Sequence, residues 1–224
     1  MTTSLVNPPV QQDLVGASVK PQIDSIVEEL ISCLPIADHL SASARRGIIG
    51  RYTAVLEGNF IYWMTAAYLS AKSAEVRPIL LDNLREEIGD SHPAMLRKFA
   101  IAAHAFPTDL DALAVHCGLT NVRLFLGRLS GVQNILTMAF FEAFIQQFMA
   151  YLADLAKAQG SSEFVYTDVH GVCDVAHSQE LFRAVSVELA ANPIDSSTDL
   201  FEGVDLLRAL IQTIIHGRGE QVAA

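Results

Sequence analysis

An all-α bundle is the fold class this sequence predicts, on three observations. Apolar residues recur at spacings of three and four along most of the chain. Every short alternating run lies inside a better 3.6-residue pattern, so no strand survives. Helix-stopping signals at Pro35, Gly89-Asp90-Ser91, Gly160 and Asn192-Pro193 divide the chain into helix-sized pieces. The length of 224 residues suits one domain, and an apolar share of 51% is enough for a sizeable core.

Residues 1–20 are polar, Pro-containing and aperiodic, and read as a mobile arm before a single domain over 21–224. From Pro21, which suits a first helical turn, Ile23, Ile26, Val27, Leu30 and Ile31 mark a helix that Pro35 ends. A long second helix starts at a Ser41 or Ser43 N-cap and runs to about Lys72, apolar over much of its circumference. A third begins near Glu75. Gly89-Asp90-Ser91 interrupts it, and Pro93 fits the first turn of its restart. Residues 106–121 read as a connecting segment with one small helix, and Ser130-Gly131 as a bend within the next, aromatic-rich helix. Gly160 closes that helix in the C′ position. Phe164 to Leu181 lies in the following helix, and the last helix runs from about Ser197 to His216.

The chemistry concentrates in Phe164 to Leu181, where His170, Asp174 and His177 stand at offsets of four and seven. On a helix those offsets return to one face, so two imidazoles and a carboxylate project together. Mixed nitrogen and oxygen donors suit iron, manganese or zinc more than calcium or magnesium. Glu57 and Glu142 are acids on apolar helices, where a carboxylate is costly unless paired or metal-bound. Glu86 and Glu87 stand before the Gly89 break and His92 after it, and one of the two acids is expected to turn inward with His92. The set then amounts to four carboxylates and three imidazoles from several helices. Four negative charges balance two divalent cations, which is what a carboxylate-bridged two-metal site in a helical bundle requires.

In this order, Glu57, EEIGDSHP, Glu142 and His170-x3-Asp174-x2-His177, the chain resembles the heme-oxygenase-like diiron oxidases over about residues 45–185. The resemblance implies the seven-helix heme-oxygenase or TenA (thiaminase-like) fold, two Fe(II) ions, O2 as co-substrate and no heme. It implies that Glu142 bridges or binds one iron with His92, that His170, Asp174 and His177 supply further ligands, and that Glu57 is the carboxylate on the second helix. Spacing leaves the choice between Glu86 and Glu87 open. The implied activity is oxidation of a small amino-acid-like or carboxylic substrate, by N-oxidation or C–C cleavage, in specialised biosynthesis. A fatty-acid oxidative decarboxylase of the same metal class is the alternative, and a non-catalytic helical interaction protein with a structural metal is the alternative of another class.

Phe60, Ile61, Trp63, Met64, Met138, Phe141 and Ile145 are candidates to line the substrate pocket, with Tyr166 one turn before His170. Arg183, Arg123 and Arg128 are the candidate cations for a substrate carboxylate. The net charge of −10 argues against a nucleic-acid surface. No run of 18 apolar residues offers a membrane span, and no basic segment followed by an apolar stretch offers a signal peptide. Three scattered cysteines, Cys33, Cys117 and Cys173, fit reduced thiols, and a cytoplasmic location is expected. Helical folds of this type often form homodimers, and no motif in the sequence fixes an interface.

Overall fold

A computed structural model describes residues 10–217, without the side chains of residues 10–18 and 172–174. All its regular structure is helical. The α-helices are α1 (Val10–Ser32), α2 (Ala42–Leu56), α3 (Asn59–Ser70), α4 (Val76–Gly89), α5 (His92–Ala102), α6 (Asp109–Leu126), α7 (Gly131–Ala158), α8 (Val165–Ala191) and α9 (Glu202–His216), with one 3-10 turn at Ala37–His39. The described residues therefore hold nine α-helices where about seven were expected.

The axis of the bundle is α7. Its buried residues include Ile135, Leu136, Met138, Phe140, Phe141, Phe144, Ile145, Phe148 and Leu152, so it is apolar almost all round. Such a helix needs partners on every side. It packs against α8 most extensively, and also against α1, α2, α3, α5 and α9. By length and composition α7 could cross a membrane, but here it is mostly buried inside the bundle. Gly160, at φ 87°, ends it in the left-handed conformation the sequence predicts.

Five boundaries depart from the sequence reading. The first helix starts at Val10 rather than at Pro21, which it contains, so only residues 1–9 of the expected arm lie outside the description. The long second helix is two. Ser41 caps α2 by accepting from the Ala44 N–H at 3.2 Å, but Gly58 adopts φ 80° and restarts the chain as α3. Only glycine adopts that angle without cost, so the break is encoded there. The segment read as a connection with one small helix is the 18-residue α6. Its N-terminus carries a reciprocal capping box, Thr108 with Asp111. Gly118 lets α6 approach α9, since a Cβ there would sit 3.1 Å from Leu210. The expected bend at Ser130-Gly131 is a true break, and α9 begins at Glu202 rather than Ser197.

The break after α4 falls as expected. Ser91 takes φ 57°, and α5 starts at His92 with Pro93 in its first turn. A serine in that region is strained unless neighbours hold it.

Asp111 fixes α6 to α2. It accepts from the Arg46 guanidinium at 2.6 and 3.1 Å and from the Thr108 N–H and hydroxyl at 2.8 and 2.6 Å. Burial alone would push its carboxyl up, but the Arg46 and Thr108 bonds outweigh it and hold Asp111 below the ordinary carboxylate value. A depressed folded-state pKa stabilises above the unfolded value and is lost as pH falls through the folded one. Asp111→Ala is expected to cost about 2 kcal/mol at neutral pH by urea denaturation. The cost should shrink in acid once the wild-type carboxyl is protonated.

Candidate metal centre

Three helices bring one carboxylate and two imidazoles together. Glu87 comes from the last turn of α4, His92 from the first residue of α5, and His170 from the second turn of α8. One donor atom from each lies within 4.8 Å of the others, and all three residues are buried. The Ser91 turn makes this local. It reverses the backbone so that His92 folds back on α4, and His92 Nδ1 lies 2.8 Å from Glu87 Oε1. The His92 and His170 rings meet edge to face with centroids 4.4 Å apart.

Glu142 approaches from α7. It is 1% exposed and lines the same cavity as Glu87, His92 and His170. A water-sized interior of about 20 Å³ separates them, bounded also by Leu56, Phe60, Ile61, Pro93, Leu96, Ile145 and Tyr166. That space holds an ion or a water and no organic molecule. One acid and two imidazoles on converging vectors, with a second acid opposite, form a borderline-soft donor set suited to iron, manganese or zinc.

Glu86 and Glu87 part company. Glu87 turns into the cluster, while the half-exposed Glu86 lies 2.8 Å from His177 Nε2. His177 is two turns beyond His170 on α8, and α4 supplies two neighbouring carboxylate–imidazole pairs, Glu87 with His92 of α5 and Glu86 with His177 of α8. Asp174 belongs to this face by spacing, but its side chain lies outside the described residues, as does that of Cys173.

Glu57 is not brought into the cluster. The helix in which it was expected to face inward stops there, and Glu57 is the C-cap of α2. Its carboxylate accepts from Arg97, with Nε at 2.9 Å and a second guanidinium nitrogen also bound to Oε1. The pair ties the end of α2 to α5, next in sequence to the cavity-lining Leu56 and Leu96. The exposed Arg97 was not singled out in the sequence, because only the α2–α3 break reveals what Glu57 faces.

Of the expected pocket residues, Phe60, Ile61, Ile145 and Tyr166 line the cavity. Met64, Met138, Trp63 and Phe141 are buried core, with Phe141 against the Phe60 and Trp63 rings. The expected cations sit elsewhere. Arg128 binds Glu202, Arg123 lies over the Tyr62 ring, and Arg183 lines a surface groove beside Lys20 and Phe182.

Tyr166 also carries a partner the sequence reading left out. Its ring lies 4.5 Å from that of His170, and its hydroxyl is 2.8 Å from that of the buried Tyr52. Tyr52 precedes the cavity-lining Leu56 by one helical turn, which was a legible signal. Beyond it, Phe148 and Tyr151 continue the aromatic line, and burial pushes the Tyr151 hydroxyl up to about 12.

Residues 51–210 match the family model described as iron-containing redox enzyme, a span that includes every candidate ligand. No curated protein matches the chain.

Tyr52→Phe leaves the shape and removes one hydrogen bond from a buried pair, so a loss of about 1 kcal/mol is expected in denaturant melts. A double-mutant cycle with Tyr166→Phe should return a coupling energy of the same size. Independent, additive losses would show that the two hydroxyls are not partners in solution.

Proposed function

The chain belongs to the heme-oxygenase-like iron-containing redox enzymes, and from that premise we propose that it is a non-heme diiron oxidase using O2 on a small amino-acid-like or carboxylic substrate. The observation that carries this reading is the buried convergence of Glu87, His92 and His170, with Glu142 in the same cavity. The neighbouring Glu86–His177 pair, with Asp174 on the same face by spacing, supports a second metal position.

When bound, two ferrous ions supply the electrons that O2 requires. The chain's own share is to hold the donors, exclude water and place the substrate. Phe60, Ile61 and Ile145 give the cavity an apolar wall. A substrate has to widen the cavity toward the end of α2, where Arg97 is the available cation for its carboxylate. Here Glu57 is the anion that Arg97 binds, and a substrate carboxylate would take its place.

The test is anaerobic addition of Fe(II) to metal-free protein, a count of bound iron, then admission of O2 with candidate amino acids and carboxylic acids. Two irons per chain, O2 consumption and loss of iron in Glu87→Gln and His170→Ala are expected. Glu57→Gln should keep both irons. One iron or none in the folded wild-type chain would overturn the two-metal reading.

For any acid that accelerates O2 consumption, Arg97→Met should raise KM about 10-fold or more, the loss of one charge-assisted contact. Iron content should not change. An unaltered KM would remove Arg97 from substrate binding.

A further inference from the structure

The described surface carries twelve exposed large hydrophobic residues, and six of them gather at one helix. Leu110, Leu113 and Leu124 lie on α6, at 79%, 59% and 68% exposure. Phe106 and Leu129 lie in the turns at its two ends, and Tyr62 lies beneath Arg123 of the same helix. Cys117 is exposed between the leucines and outside any disulfide. With 100° per residue, positions 110, 113, 117 and 124 fall within a sector of about 60°. This is a narrow seam of the kind that packs against another helix. The opposite side of α6 is already satisfied, with Val115, Val122, Phe125 and Leu126 buried against the bundle. Isolated exposed leucines need no explanation, but a contiguous seam does.

The ends of the seam are symmetric about Cys117, while Leu113 has Asn121 as its counterpart. Leu110 and Leu124 each stand seven residues from Cys117, and Phe106 and Leu129 stand eleven and twelve residues away. Two copies of α6 packed antiparallel about a two-fold axis at Cys117 put Leu110 of each against Leu124 of the other. The end apolar residues then also meet. Charge follows the same symmetry. The exposed Asp109 occupies the first turn and Arg123 the last, so each acidic end faces a basic end, and the two helix dipoles oppose favourably. Self-complementarity about a two-fold axis is what an interface between identical chains requires.

We propose that the exposed face of α6 is the docking surface for a second copy of this chain, forming a two-fold dimer centred on Cys117. No candidate metal ligand lies on α6, so the inference stands whether or not the oxidase reading does.

The test is sedimentation velocity of the full chain over a dilution series, without added metal. A dimer is expected. Leu110→Glu with Leu124→Glu should weaken association about 100-fold or more, since each change is read twice across the axis. Far-UV circular dichroism of the variant should match the wild type. As a second readout, mild thiol oxidation of the wild type should give a reducible covalent dimer that Cys33→Ser retains and Cys117→Ser loses. A monomer at every concentration would overturn the proposal, whether α6 then serves a different protein or nothing. A dimer that survives the double substitution and does not crosslink through Cys117 would overturn it as well.

Discussion

Everything at the candidate site hangs on a single local constraint, the return of His92 onto Glu87 across the Ser91 turn. Two ionisable side chains buried in an apolar bundle are costly apart and tolerable together. The 2.8 Å contact between them lets both stay inside. It also holds a serine in the left-handed region, and so fixes the angle between α4 and α5. Because α5 leaves in that direction, Pro93 and Leu96 close one side of the cavity and Arg97 reaches Glu57 at the end of α2. The Ser91 turn therefore sets two of the donors and one wall of the cavity.

The rest of the bundle supplies rigidity on the other side. Glu142 lies within α7, the helix with the most partners, and an acid there is fixed by packing on every flank. His170 is set by α8, the principal partner of α7. The cluster thus joins two firm walls to a short strained turn. Among the helices that line the cavity, α5 and α4 bury the fewest residues, four and six, and are the elements to yield when something larger than an ion enters.

Legibility followed the range of the interaction. His170 with His177, the Gly89 break and Glu142 within a buried helix are local facts of spacing and hydropathy, and a single helix carries each of them. The choice between Glu86 and Glu87 was not local, because adjacent residues point about 100° apart and only the placement of α8 says which faces inward. Glu57 misled for a similar reason. Its apolar neighbours at helical spacing imply burial only if the helix continues, and Gly58 stops it. Gly118, Thr120 and Asn121 are poor helix formers, and the packing of α6 against α9 and α2 overrides them. The early start of α1 had a local signal, because Val15 and Val19 extend upstream the four-residue spacing of Ile23 and Val27.

Acids inside this protein also sort themselves by the kind of partner they keep. Asp111 is locked by Arg46 and by its own capping box. Glu188 is wholly buried, accepts from the Lys72 and Ser73 backbone N–H groups at 2.9 and 3.0 Å, and takes the Asn192 amide at 3.1 Å. Backbone donors cannot leave, so Glu188 is a fixed tie between α8 and the α3–α4 connection. Glu87 differs in kind. Its buried partner His92 is an imidazole, and beside it stand a second imidazole and another acid that face the same small space. Carboxylate and neutral imidazole are both metal donors, and each can exchange the other for a cation without leaving a backbone group unsatisfied. Buried acidity alone therefore does not mark the site, and Glu188 is the proof of it. What marks it is an acid whose partners are themselves ligands.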